Sequence, residues 1–130
     1  MTARILIVDD EDIVVRSCLR ILADTGYAVD VARGGAEALK KIDETAYDVL
    51  LVDIMMPQIN GLEVLQHVKQ KRPGSEVIIF TGLSQSETAL RAQELGAFAY
   101  LPKPFEPEDI RELIAQALAR RRARGGQPAL

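Results

Sequence analysis

The chain has 130 residues, is 48% hydrophobic and 27% charged, and carries a formal net charge of −3. That length suits one domain with a proper core, and the composition excludes a disordered or low-complexity chain. No apolar run approaches the roughly 20 residues that cross a bilayer, Met1-Thr2-Ala3-Arg4 lacks the apolar region of a signal peptide, and a lone Cys18 rules out an internal disulfide framework.

Ile5-Leu6-Ile7-Val8 is an unbroken apolar run that stops at Asp9-Asp10. Val14, Cys18, Ile21 and Leu22 then recur at helical spacing, and Gly26 closes that helix. Tyr27 to Ala32 alternates as a half-exposed edge strand does, and Ala38, Leu39 and Ile42 mark a second helix. Val49-Leu50-Leu51-Val52 runs to Asp53 and an irregular loop, Ile54 to Asn60. Asn60 is suited to cap a third helix with Leu62, Leu65 and Val68 inward, which Pro73-Gly74 ends. Val77-Ile78-Ile79-Phe80 leads to Thr81-Gly82, and Ser84-x-x-Glu87 matches a capping box for a fourth helix stopping near Gly96. Ala99-Tyr100-Leu101 precedes Pro102, Lys103, Pro104 and Pro107. The fifth helix carries Ile110, Leu113, Ile114, Ala117 and Leu118 on one face, and Gly125-Gly126-Gln127-Pro128 cannot propagate it. We divide the chain into a domain over 1–122 and a flexible tail or linker start over 123–130.

Arg120, Arg121, Arg122 and Arg124 are 4 of the 16 basic residues, so 12 remain in the body against 19 acidic ones. So acidic a body is a poor nucleic-acid binder. The cluster reads as a helix end opposing the macrodipole, or as a docking tail for an acidic partner or a nucleic acid.

Five strand-helix alternations demand right-handed crossovers and a parallel sheet. Three continuous runs read as central strands covered on both faces. With the second and fifth strands at the edges, the expected order is 2-1-3-4-5, a flavodoxin-like, doubly wound α/β fold with five flanking helices. Ligands in such sheets bind beyond the carboxyl ends of the strands, at the switch between strands 1 and 3. Those strands lie about 4.8 Å apart, so Asp9, Asp10 and Asp53 converge on one rim. Thr81 and Lys103 reach it from two further strands.

Crowded carboxylates resist ionising unless a cation is present. With no imidazole or thiolate nearby, the donor set is all oxygen and suits Mg2+, which needs few carboxylates plus water and phosphate oxygens. Lys103 adds an ammonium and Thr81 a hydroxyl, with Gly82 leaving backbone room. The set outlines a pocket for a phosphoryl group on an aspartate. Asp53, single and on a middle strand, is assigned as acceptor, Asp10 as the more direct metal ligand and Asp9 as its partner. The competing role for the Asp9-Asp10 pair is a helix N-cap. Thr81 alone could satisfy local backbone, and Lys103 alone could be solvated.

These residues carry a resemblance. From residue 4 to about 119 the chain resembles a response-regulator receiver domain of two-component signalling. The motifs are Ile5-Leu6-Ile7-Val8-Asp9-Asp10-Glu11, Asp53-Ile54-Met55-Met56-Pro57 with Gly61, Thr81-Gly82 and Lys103-Pro104-Phe105. The resemblance implies phosphoryl transfer from a sensor histidine kinase or phosphotransfer protein to Asp53. It implies Mg2+ on Asp10, Asp53 and the Met55 carbonyl, with Asp9 acting through water. It further implies a switch hydroxyl at Thr81, phosphate contacts from Thr81, Gly82 and Lys103, and a cis Lys103–Pro104 peptide. Tyr100 matches the aromatic switch position, and the surface of the fourth helix, fifth strand and fifth helix would be the output face and a homodimer contact. A cytoplasmic domain without direct nucleic-acid or membrane binding is expected.

His67, in the third helix, reads as solvated rather than phosphorelay, Cys18 as core, and Met55-Met56 as loop residues flanking the site. Met55 and Leu83, each two residues past Asp53 and Thr81, are expected to slow self-dephosphorylation by hindering an in-line water. Two rivals fit poorly. An aspartate-nucleophile phosphatase needs a second aspartate where Met55 stands, so no turnover enzyme is expected. A flavin-binding module needs a Ser/Thr/Gly-rich loop where Asp9-Asp10-Glu11-Asp12 stands.

Overall fold

The computed structural model describes residues 2–81 and 86–123, with Ser86 described in its backbone only. Strand and helix alternate as β1 Arg4–Val8, α1 Asp12–Leu22, β2 Ala28–Ala32, α2 Gly35–Glu44, β3 Val49–Asp53, α3 Gly61–Lys71, β4 Glu76–Thr81, α4 Ser86–Glu94, β5 Ala99–Pro102 and α5 Pro107–Arg121. The sheet is parallel throughout, in the order β2-β1-β3-β4-β5. The fold is therefore the doubly wound one expected. Its edges are also as expected: β2 and β5 are largely half-exposed, whereas β3 and β4 are wholly buried.

Alternation along each central strand feeds two cores. Leu6, Val8, Leu50, Val52, Val77 and Ile79 pack toward α2, α3 and α4, burying Ala38, Ile42, Val64, Leu65, Val68 and Ala92. Ile5, Ile7, Val49, Leu51, Ile78 and Phe80 pack toward α1 and α5. Continuous apolar runs are the consequence: each residue of a doubly covered strand meets one core or the other.

The helix faces differ from expectation by a residue or two. In α1 the fully buried valine is Val15, with Val14 at the margin of the core. In α3, Val64 is buried and Leu62 only partly so, and in α5 Leu113 is likewise marginal. The start of α3 is the one expected. Asn60 accepts from Glu63 N at 3.1 Å while Glu63 Oε1 accepts from Asn60 N at 3.1 Å, a complete capping box. Such a cap contributes about 1 kcal/mol. The box expected from Ser84 falls outside the described residues. Met56, expected to flank the rim, is instead buried in the core beneath it.

At the amino ends of the strands, Arg120 and Arg121 of the arginine cluster find internal partners. Arg120 Nε lies 3.6 Å from Glu76 Oε2, and its guanidinium sits over the Phe98 ring at 5.4 Å. Arg121 Nε is 3.4 Å from Asp48 Oδ1. His67 is not simply solvated: its Nε2 meets Asp43 Oδ1 at 2.8 Å, linking α3 to α2. Cys18 is buried core, its thiol pushed up to about 12 by burial. A link not foreseen is Tyr47, whose hydroxyl donates to Asp30 Oδ2 at 2.7 Å.

Candidate functional site

Because β1 and β3 are hydrogen-bonded neighbours with Val8 opposite Val52, the residues that follow them emerge side by side. Asp9, Asp10 and Asp53 each offer an oxygen, and the three lie within 4.8 Å of one another. Asp9 and Asp53 are buried, while Asp10 is exposed at the lip. Thr81 ends β4 and is buried. Lys103 follows β5, where its N–H donates to Thr81 O at 2.8 Å and the Lys103–Pro104 peptide is cis.

The ammonium reaches inward across the rim. Lys103 Nζ lies 3.7 Å from Asp53 Oδ1, 3.5 Å from Asp9 Oδ2 and 3.1 Å from Glu11 Oε1. It also rides over the Phe80 ring at 5.1 Å, and Phe105 meets that ring edge-on at 5.8 Å. The loop after β3 is shaped by two constraints. Met55 N donates to Asp53 Oδ1 at 3.3 Å. Gly61 opens α3 against the backbone of Asp53 and Ile54, where a Cβ would collide with the Asp53 carbonyl. The glycine thus lets α3 start hard against Asp53, and Gln58 turns the loop with φ of 68°.

Charge at the rim is unbalanced. Burial, then the neighbouring Asp9 charge, pushes the Asp53 carboxyl up to about 6, against the pull of Lys103 and the Met55 N–H. Asp9 is raised by burial as well, with the Glu11 N–H and Lys103 opposing. Burial works to lower the Lys103 ammonium, but the charges of Asp53 and Asp9 more than offset it and its pKa is raised. Asp9 Oδ2 is buried, with no hydrogen-bond donor engaging it among the described residues. An orphaned carboxylate oxygen inside an all-oxygen cluster fits a hard divalent ion.

The family profile of the response regulator receiver domain matches residues 5–115. The chain belongs to that family. This receiver domain is 37% identical over 127 residues to the transcriptional regulatory protein DltR of Streptococcus agalactiae, which covers 98% of this chain but only 54% of DltR. The chain thus spans about half the length of that relative. A CheY-like receiver domain protein of Methanospirillum hungatei superposes with a TM-score of 0.92 at 35% identity, covering 96% of this chain and all of the other. The BeF3-activated DrrB receiver domain superposes at 0.85, with 32% identity and 92% and 99% coverage. The chain is therefore a receiver domain of response regulators in two-component systems.

Of the residues named from the sequence, Asp9, Asp10, Asp53 and Lys103 meet at the receiver's rim, with Thr81 at the end of the adjoining strand. Gly82 and Leu83 fall outside the described residues. Tyr100 is half-buried on β5, packed against the core that holds α3 and α4. It borders a groove of about 510 Å³ that also involves Leu90, Phe98 and Arg120. Two contributors had no role in the sequence reading: Phe80 beneath the lysine, and Glu11 beside it. Glu11 was visible as the third acid after β1, but spacing alone does not say which acid turns to the lysine. Among the described residues no helix is long and apolar enough to cross a membrane.

Proposed function

We propose that this receiver takes a phosphoryl group onto Asp53 from a phosphohistidine of a sensor kinase or phosphotransfer protein. The observation that carries the proposal is Asp53 itself, buried with one oxygen 3.7 Å from the Lys103 ammonium and beside two further carboxylates. An Asp53 oxygen attacks phosphorus, the P–N bond breaks, and its electron pair returns to the donor imidazole, which takes a proton from solvent. Asp10, Asp53 and the Met55 carbonyl would hold a Mg2+ ion, with Asp9 contributing through water. When bound, that ion supplies neutralising charge to the carboxylates and to the phosphoryl oxygens. Lys103 stabilises the charge gathering on the transferred group from the opposite side. Thr81 donates its hydroxyl to a phosphoryl oxygen, and the phosphate-binding role expected of Gly82 falls outside the described residues.

Drawing Thr81 inward makes space for the Tyr100 ring, a local charge event biasing a packing element. The α4-β5-α5 surface is then the output face and the homodimer contact, and the groove beside Tyr100 supports that reading. We take 1–122 as the receiver unit and 123–130 as tail or linker start. The domain works in the cytoplasm, binds neither nucleic acid nor membrane directly, and turns over no external phosphate ester. Apolar Met55 and Leu83 slow hydrolysis of the acyl phosphate, and Met55→Asn with Leu83→Glu shortens its lifetime.

The test is transfer of labelled phosphate from candidate histidine kinases in the presence of Mg2+, with Asp53→Asn alongside. Acid-stable, hydroxylamine-resistant label, or label retained in the variant, sinks the assignment. Label in the parent that hydroxylamine removes, and none in Asp53→Asn, supports it.

A further inference from the structure

The run Asp9-Asp10-Glu11-Asp12 divides its four acids among three destinations. Asp9 and Asp10 join the rim cluster. Asp12 turns outward to Arg16 at 2.7 Å and Arg33 at 2.9 Å. Glu11 occupies the N-cap position of α1 with extended backbone, yet its side chain makes no cap hydrogen bond. Its carboxylate instead meets Lys103 Nζ at 3.1 Å, closer than Asp9 or Asp53. Of the three acids around the ammonium, Asp9 and Asp53 are buried and the Glu11 side chain is 63% exposed. The ammonium, itself largely buried, therefore makes its shortest contact with the most exposed of the three acids.

We infer that Glu11 is a positioning residue that competes with the phosphoryl group for Lys103, holding the ammonium at the lip in the resting state and releasing it on transfer. The inference rests on Asp53 being the acceptor. Once a phosphoryl dianion sits on Asp53, the lysine gains a stronger and more buried partner, and like-charge repulsion displaces Glu11. The Phe80 ring, 5.1 Å from Nζ, keeps the ammonium over the site when Glu11 lets go. Glu11 thereby raises the threshold for phosphorylation without touching the phosphoryl group.

The experiment compares the full chain with Glu11→Gln, using acetyl phosphate as a small donor and beryllium fluoride as a phosphoryl mimic, both with Mg2+. Glu11→Gln is expected to be labelled about two- to fivefold faster, the range an ion pair open to solvent carries. Beryllium fluoride binding should tighten by a similar factor. Both differences should shrink toward parity in about 0.5 M KCl, where contacts between exposed charges are screened. A generally loosened site would weaken beryllium fluoride binding rather than tighten it. Labelling equal to or slower than the parent, or a gain undiminished by salt, overturns the inference. An unlabelled parent, or label in Asp53→Asn, instead sinks the acceptor assignment beneath it.

Discussion

The two ends of the sheet handle buried acids in opposite ways. At the amino ends, Glu76 is buried between Lys69 at 4.0 Å and Arg120 at 3.6 Å, while Asp48 meets Arg121 at 3.4 Å and accepts from Arg4 N at 2.8 Å. Cations there answer the acids. At the carboxyl ends, Asp9, Glu11 and Asp53 share the ammonium of Lys103, and Asp10 crowds against Asp9 and Asp53. A buried acid with partners is a structural element, whereas one short of partners weakens the fold until a ligand supplies the missing charge. Among the described residues, the acids that outnumber the cation beside them gather at the carboxyl ends of the strands.

The largest expected effect opposes the usual consequence of mutation. The Asp53 carboxyl rises from 3.8 to about 6 on folding, so the folded chain binds the extra proton across that interval. Stability therefore falls as pH rises through it. In chelator, Asp53 alone removes about 1–3 kcal/mol between pH 4 and 7. Asp53→Asn lacks that loss and is more stable than the parent at pH 7. Urea unfolding at stepped pH reads both, and parallel pH curves for parent and variant would break the contrast between the ends.

At the balanced end the sign reverses. Arg120→Ala leaves buried Glu76 with the more distant Lys69 and uncovers Phe98, costing about 1–2 kcal/mol. A stability gain there would show that the amino-end acids are no better satisfied than the rim. Next in size, Mg2+ at ten times its Kd should stabilise the parent by about 1.4 kcal/mol. The gain should be smaller in Asp9→Asn and Asp53→Asn, and equal gains in all three would place the ion elsewhere. Smallest is His67→Gln, which removes the α2–α3 link to Asp43 and costs about 0.5 kcal/mol or less, as solvent-accessible pairs do. A loss above about 2 kcal/mol would mark that link as part of the core rather than a surface brace.

The rim was readable because burial on both faces forces β1, β3 and β4 to be apolar without interruption. The first polar residue after each run is then the first one permitted to be polar, and Asp9, Asp53 and Thr81 are those residues. Helix faces were readable less finely. Val14 and Val15 both fit the α1 stripe, as do Leu62, Val64 and Leu65 in α3, and only the angle at which a helix meets the sheet chooses among them. His67 looked exposed since nothing in its neighbourhood along the chain announces Asp43, 24 residues away. The arginines at the end of α5 suited a macrodipole reading, yet Arg120 and Arg121 turn back to acids in β4 and just before β3.

The sequence by itself determined the strand order, the end of the sheet where acids gather, and the residue types assembled there. Hydrophobic continuity and chain connectivity are local properties, and they leave few alternatives. Tertiary structure alone decided that Asp9 is buried while Asp10 is not, that Lys103 rests nearest Glu11, and that Gly61 presses α3 onto Asp53. Those outcomes depend on distances between segments far apart in the chain, which side-chain packing sets and residue spacing does not encode.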